Sequence, residues 1–429
     1  MPDVPPEGIG RATQARIYRD GSYGRMPRVP VHPDALRAAA RRKMSRRGYG
    51  YVAGSAGMER TTAANRAAFD RWRIVPRMLR DVSVRDTSVE LFGRRLPTPF
   101  LLAPVGVLSM AHPQADLAAA KAAAASGVPM IFSTQASVPM ETCAAAMGDG
   151  PRWFQLYWSS SDELVTSFVS RAERAGCEAI VVTLDTHMLG WRPRDLELGF
   201  LPFARGEGIA QYTSDPVFTE LVRARVARGR TEPQPRPTLT ALRTLAAMSR
   251  AYPGSFLANL RSPMARAAVE TFLDVFSRSN LTWDDLGFLR ERTSLPILLK
   301  GILHPDDAKR AVDAGVDGII VSNHGGRQVD GAIAALDALP DVVKAVAGAV
   351  PVLFDSGVYS GADAFKAIAL GARAVCIGRP YVYGLALAGE AGVREVLSHL
   401  MAEFDLTMAL AGCRSIADIT PEMLQRRPD

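Results

Sequence analysis

Residues 318–328 read GIIVSNHGGRQ, an apolar run that stops at Ser322 and gives way to Asn323, His324, two glycines and Arg327. A short, largely β-branched run ending in polar residues describes a strand buried on both faces, with its carboxyl end at a functional surface. Just upstream, Pro305 opens a helical pattern in which Ala308, Ala311 and Val312 share a face, and Gly315 closes it. The unit recurs. Helical patterns closing on Gly127, Gly176 and Gly371 lead into PMIFS, AIVVT and AVCIG.

The full set of such runs is Phe100 to Ala103, Met130 to Ser133, Trp153 to Tyr157, Ala179 to Thr183, Ile297 to Lys300, Gly318 to Ser322, Val352 to Asp355 and Ala374 to Ile377. Eight near-continuous apolar strands alternating with helices predict an α/β fold, a closed (β/α)8 TIM barrel rather than an open doubly wound sheet. Their spacing has no fixed period, which argues against a solenoid. Ser160 and Glu163 have capping-box spacing ahead of Leu164, Phe168 and Val169, so a helix is expected to start there.

Two regions depart from the repeat. Residues 1–96 form an N-terminal extension expected to pack on the barrel of 97–429, with a helical stretch from Asp34 to Arg46 followed by GYGYVAGSAG. A long insertion, about 196–293, follows the fourth strand. In it TEPQPRP (231–237) predicts a flexible point, and TLTALRTLAAM (238–248) is amphipathic through Leu239, Leu242 and Leu245. A loop this long inside a compact fold predicts a lid or subunit contact rather than a separate domain.

Composition bounds the function classes. The 429 residues are 48% hydrophobic and 22% charged, an ordinary globular balance. No run reaches the ~18 apolar residues of a membrane helix, and MPDVPPEGIG has neither a basic leader nor an apolar signal core, so no integral membrane segment and a cytoplasmic location are expected. The four cysteines, Cys143, Cys177, Cys376 and Cys413, lack CxxC spacing; they read as buried thiols, and no metal site is expected. The net charge of +7 is concentrated in clusters such as Arg41, Arg42, Lys43, Arg46 and Arg47, and Arg223, Arg225, Arg228 and Arg230. Without interleaved aromatic residues these read as solvated helix faces, not a nucleic-acid surface.

Barrel enzymes carry their active sites at the carboxyl ends of the strands. Those ends bring Ser133, Gln155 with Tyr157, Thr183 with Asp185, Lys300, Ser322 with His324, and Asp355, with Gly378 and Arg379 after the last strand. Lys300 closes PILLK, where it either snorkels to the rim or presents a fixed ammonium to a bound cofactor. His324 can take a proton while Arg327 grips a carboxylate through its planar fork. Asp185 either supports the imidazolium of His324 or pairs with an arginine. Gly357, Gly378 and Arg379 follow the seventh and eighth strands, where barrels often bind phosphate.

These residues resemble the FMN-dependent α-hydroxy acid oxidase and dehydrogenase family. The resemblance rests on SNHGGRQ together with YVAGSAG, QLYW, LDTHMLGWRPRD, LLKGILHPDDA, LFDSGVYSGADAFKAIALGA and IGRP, in order over nearly the whole chain. Within the family the chain is most similar to the lactate 2-monooxygenase branch, through the N-terminal extension, the YVAG and PRML segments, APVGV, GWRPRDL and the insertion containing TSDPVF. The resemblance implies that Tyr51, Arg192 and Arg327 hold the substrate carboxylate, that Tyr157 bonds its hydroxyl, and that His324 is the base supported by Asp185. It implies FMN contacts from Ser133, Gln155, Thr183, Lys300, Ser322 and the Val105 and Gly106 backbone, with Asp355, Gly357, Gly378 and Arg379 at the ribityl and phosphate end.

Three departures from the family pattern stand out: Tyr359 where many members have a phosphate-binding arginine, Gln135 where glycolate-type oxidases have tryptophan, and PVG at Pro104 to Gly106 in place of PTA, a change the monooxygenase branch shares. His187 and Met188 replace bulkier residues of that branch. The implied activity is oxidation of a small L-2-hydroxy acid, lactate-like, to the 2-oxo acid with oxygen as acceptor, extending to oxidative decarboxylation. The alternatives are a dehydrogenase that uses a quinone or protein acceptor and, outside enzymology, an FMN-binding scaffold with impaired catalysis. A homotetramer or octamer is the implied assembly.

Overall fold

The computed structural model describes residues 8–229 and 238–427. Eight parallel strands close on themselves: β1 (Phe100–Leu102), β2 (Met130–Ser133), β3 (Arg152–Leu156), β4 (Ile180–Thr183), β5 (Ile297–Ile302), β6 (Gly318–Val321), β7 (Val352–Phe354) and β8 (Ala374–Ile377). Each pairs with its neighbours in sequence, and β8 returns to β1, so the chain is a (β/α)8 TIM barrel. All eight expected runs are barrel strands. The glycine stops hold as well, with Gly127, Gly176, Gly315 and Gly371 all at positive φ, where a side chain would be strained.

Strand phase explains the two-layered core. One buried set, including Leu101, Ile131, Trp153, Val181, Leu298, Ile320, Leu353 and Cys376, fills the barrel interior. The alternate residues, such as Leu102, Phe132, Phe154, Val182, Leu299 and Phe354, face the surrounding helices. A small antiparallel hairpin, Val89–Leu91 with Arg94–Leu96, plugs the amino end of the barrel, with Phe92 packed edge-on against Trp153 at 5.6 Å. The amino end being stoppered, the interior opens at its carboxyl end.

The N-terminal segment is more helical than its sequence predicts. Helices run Gly8–Ser22, Pro33–Lys43, Arg46–Ala53 and Arg60–Asp70, so the single stretch expected from Asp34 to Arg46 is broken at Met44 and Ser45. Ser45 caps the third helix by accepting the Gly48 N–H at 3.0 Å. Glycine at 48 is there for space, since a Cβ would come 2.7 Å from the Met110 carbonyl. Strand Trp72–Ile74 pairs antiparallel with Leu424–Arg426, tying the extension to the carboxyl end of the chain.

The helix after β3 starts one residue later than expected. Ser161, not Ser160, caps Asp162–Arg174 by accepting the Leu164 N–H at 3.2 Å, because the backbone N–H of Ser160 is drawn to the Val275 carbonyl of the insertion. Leu164, Phe168 and Val169 are buried as expected. The insertion is helical, with Pro216–Arg228, Leu239–Ala251 and Met264–Val275 its longest described elements. TEPQPRP lies outside the described residues. Leu239–Ala251 is a helix, but Leu239 and Leu242 face outward, 75% and 56% exposed, so the expected apolar stripe does not pack inward on this chain. All four cysteines are free and buried. No helix among the described residues is long and apolar enough to cross a membrane.

Candidate active site

Because interior positions alternate, the next in-phase residues beyond the apolar filling are Ser133, Gln155, Thr183, Lys300, Ser322 and Asp355. All six are buried. Register sets Ser133 beside Gln155 and Thr183 beside Lys300 on adjacent strands. Above them a cavity is lined by Tyr51, Val105, Gly106, Tyr157, Arg192, Lys300, His324, Arg327, Asp355, Gly357, Gly378 and Arg379. Every expected site residue thus lines the mouth or sits directly beneath it.

At the centre, Asp185 Oδ1 is 2.7 Å from His324 Nδ1, and Thr186 Oγ1 donates to Asp185 Oδ1 at 2.9 Å while lying 3.2 Å from the same ring nitrogen. The expected alternatives for Asp185 resolve toward the histidine. Burial alone would raise the Asp185 pKa, but His324, Lys300 and these hydrogen bonds override it and hold the carboxyl at about 2. For His324, burial dominates and, with Lys300 and Arg192 nearby, lowers its pKa despite Asp185. The pair at neutral pH is therefore a carboxylate and a neutral imidazole.

Lys300 does not snorkel. Its Nζ donates to Ser322 Oγ at 2.8 Å and sits 3.2 Å from Asp355 Oδ2 and 3.9 Å from Asp185 Oδ2. Burial opposes its charge, yet the two carboxylates keep its pKa above the ordinary lysine value. Tyr157 is pushed up to about 12 by burial and by Asp185, so it remains a neutral hydroxyl donor.

Arg192, Arg327 and Arg379 crowd the mouth. Arg327 donates to the Tyr51 and Gly54 carbonyls at 2.5 and 2.8 Å and lies over the Tyr51 ring at 5.0 Å. Arg192 donates to Gln328 Oε1 at 2.8 Å. Arg379 donates to the carbonyls of Val52, Gly54 and Gly325 and to Ser55 Oγ. Burial and its arginine neighbours work against the charge of Arg327, which is the condition of a site built for an anion.

The insertion packs behind Tyr51, itself part of the lining. Phe203 meets Tyr51 edge-on at 6.5 Å, and Phe272 and Tyr212 extend that aromatic contact outward. Gln211 accepts the Met140 N–H and donates to the Ser133 carbonyl. At Gly106, a Cβ would come 3.0 Å from Gln135 Cβ, so the glycine of PVG makes room for that glutamine.

Gln155 Nε2, Thr183 Oγ1 and Gln135 Nε2 are buried without a hydrogen-bond partner. An orphaned buried donor costs about 1–3 kcal/mol, which is hard to sustain three times at one cavity unless something else supplies the acceptors. An isoalloxazine edge of carbonyls and ring nitrogens would meet that need at Gln155 and Thr183, beside the Lys300 ammonium. At the other end, Gly378 precedes the helix Arg379–Ala411, which has no side-chain cap, and Gly357 holds φ +96°, leaving backbone N–H groups for a phosphate. Tyr359, where a phosphate-binding arginine is missing, is covered by Arg66 at 5.1 Å from its ring. The donor set fits FMN.

Fold and mouth together define a barrel enzyme whose buried donors are matched to an acceptor-rich, anionic cofactor. The chain matches the family described as FMN-dependent dehydrogenase over residues 40–426. It is 45% identical over 381 residues to an L-lactate oxidase of Lysinibacillus sphaericus (strain C3-41), covering 89% of each chain. It is 40% identical over 424 residues to an FMN-dependent alpha-hydroxy acid dehydrogenase of Penicillium citrinum, covering 99% of this chain and 97% of that one. A crystal structure of mandelate oxidase with (S)-4-hydroxymandelic acid superposes with a TM-score of 0.75 at 38% identity, covering 92% of this chain and 98% of that one. The chain belongs to the FMN-dependent α-hydroxy acid oxidase and dehydrogenase family, and FMN is its cofactor.

Sequence reasoning missed several residues of the site. Thr186 bridges Asp185 and His324, and Gln328 holds Arg192 while donating to the Asp185 and Met188 carbonyls. Ser356 Oγ accepts the N–H groups of Asn323 and Gly325. Thr186 and Gln328 sit inside motifs already singled out, so their polarity next to Asp185 and Arg327 was an available signal. The left-handed φ of +57° at His324 itself had none, since the neighbouring glycines were the natural place for the turn. Such a residue stores about 1–3 kcal/mol of strain, held by the bonds around it.

Proposed function

We propose that the protein oxidises a small L-2-hydroxy acid, lactate-like, to the 2-oxo acid with oxygen as the final acceptor. The observation that carries this reading is the His324–Asp185 pair beside Lys300, in the same mouth as three arginines.

The substrate carboxylate would be gripped by Arg327 and Arg192 with Tyr51, a fork-to-carboxylate match that a point charge could not make. Tyr157 would donate to the substrate hydroxyl. With Nδ1 committed to Asp185, His324 offers Nε2 to take the hydroxyl proton, and Asp185 stabilises the imidazolium that results. FMN, when bound, supplies the two-electron acceptor for the α-hydrogen. Lys300, fixed between two carboxylates, would stabilise negative charge on its side of the mouth. Balance is complete, since the substrate loses a hydride equivalent and one proton.

Gly106 in the lining and the insertion packed behind Tyr51 support the further step named by the lactate 2-monooxygenase likeness. A 2-oxo acid retained in the mouth would meet peroxide formed from oxygen in place, giving a shortened acid, CO₂ and water. Product analysis under air tests this: CO₂ and the shortened acid are expected, and stoichiometric peroxide with intact 2-oxo acid would limit the protein to oxidase chemistry. A dehydrogenase reading is favoured by one feature, the exposed Met188, Leu189 and Trp191 near the mouth, where a quinone or protein acceptor would dock. It predicts slow turnover with oxygen and fast reduction of artificial acceptors.

A further inference from the structure

Asn65 stands on the helix Arg60–Asp70, outside the barrel, yet it is buried against Asn323, the residue before His324. The two carboxamides pair reciprocally. Asn65 Nδ2 donates to Asn323 Oδ1 at 2.8 Å, and Asn323 Nδ2 donates to Asn65 Oδ1 at 2.7 Å. Asn323 Oδ1 also accepts the Gly326 N–H, and Asn65 Oδ1 accepts the Ala335 N–H, both at 3.1 Å. One turn earlier, Thr62 Oγ1 donates to the Gly325 carbonyl at 3.0 Å, and a Cβ on Gly326 would collide with that hydroxyl at 2.3 Å.

One helix face therefore brackets the His324 turn on both sides. That turn runs through three successive positive φ angles, at His324, Gly325 and Gly326, and two of these are glycines with wide conformational freedom. Glycines cannot hold a histidine in place by themselves. We propose that Asn65 is a positioning residue for His324, clamping the Asn323–Gly326 turn so that the imidazole stays on Asp185. The clamp needs an amide, because the pair requires a donor and an acceptor on one planar group; aspartate offers acceptors only, and leucine neither. The claim rests on the reading of His324 as the base.

The test uses the FMN-loaded protein with Asn65→Asp, and with Thr62→Val as a milder variant that leaves the amide pair intact. Phe69→Leu, on the same helix but packed on Phe354, is the stability control. Three quantities are measured: the maximal rate of anaerobic flavin reduction with its substrate half-saturation, FMN affinity by flavin fluorescence, and the imidazole signals of ¹⁵N-histidine-labelled protein. Asn65→Asp is expected to slow maximal reduction about 10- to 100-fold, the scale of a small misplacement of a reacting group. Half-saturation and FMN affinity should stay within about twofold, and the His324 Nδ1 signal should leave its Asp185-bonded position. Thr62→Val should move both readouts less and in the same direction, and the control should lose stability alone.

The proposal is overturned if Asn65→Asp slows reduction no more than the control at matched thermal stability, or if its loss lies in half-saturation with the His324 signal unmoved. Should Asn65→Asp fail to fold, Thr62→Val decides by the same readouts. If no hydroxy acid bleaches the wild-type flavin, the oxidation reading fails while the His324 signal still decides the clamp.

Discussion

Asp185 Oδ1 and His324 Nδ1 face each other at 2.7 Å across the carboxyl ends of β4 and β6, which commits one imidazole nitrogen to the protein and leaves the other to the cavity. His324→Ala should therefore lower the rate of flavin reduction by about 10²- to 10⁴-fold, the usual contribution of a general base. FMN should remain bound, because the phosphate end is built from other residues. Rapid-mixing absorbance and a fluorescence measurement of cofactor affinity check the two halves separately.

The pH dependence follows from the same pair. Burial, Lys300 and Arg192 lower the His324 pKa below its ordinary 6.5, so the neutral base is already present at pH 7. The kcat/KM for substrate should be flat from neutral pH down to about that value and fall only in more acid solution. An acid limb centred above 7 would contradict the assignment.

Arg327→Lys should raise the substrate half-saturation about 10-fold or more with a smaller change in the maximal reduction rate, since a point charge replaces a fork. Unchanged half-saturation would remove Arg327 from the carboxylate grip.

Gln135 lines the mouth with its Nε2 buried and unpartnered, which favours substrates carrying a hydrogen-bond acceptor beyond C2. Gln135→Leu should shift the kcat/KM ratio toward hydroxy acids with apolar side chains by about 10-fold, a difference of about 1.4 kcal/mol. A ratio that does not move would assign the amide to the cofactor instead.

Asp116 tests the packing around the site rather than its chemistry. Burial raises its pKa to about 7 although its Oδ2 accepts the Ser137 and Val138 N–H groups, so its folded value lies above the ordinary 3.8. Stability from the neutral carboxyl is complete below pH 3.8 and is lost as pH rises through 7. Asp116→Asn keeps an acceptor without the charge; it should raise the melting temperature by a few degrees at pH 8 and lose that advantage by about pH 4. Equal shifts at both values would contradict the raised pKa.

Much of this was legible because barrel strands leave a strong trace. Runs such as GIIVS and PILLK are apolar on both faces, and the residue that breaks each run is the one that reaches the mouth. The N-terminal segment left a weaker trace. Helix Arg60–Asp70 has no side-chain cap of its own; its amino end is held by Asp330, which accepts the N–H groups of Met58, Arg60 and Thr61 from far along the chain. Helix Arg46–Ala53 carries two glycines that local propensity penalises, and close packing requires one of them, Gly48. Ser160 lost its expected capping role to a neighbour because the insertion claims its backbone, a tertiary contact no local pattern encodes. Asn65 was invisible for the same reason, as its partner is 258 residues away.

The most direct measurement is an anaerobic titration of the FMN-loaded protein with a panel of short and aromatic L-2-hydroxy acids, following the oxidised flavin's absorbance. Stoichiometric bleaching by at least one acid, with the matching 2-oxo acid released, is the expected result. Bound flavin that no member of the panel bleaches would contradict the assignment of this mouth to hydroxy-acid oxidation.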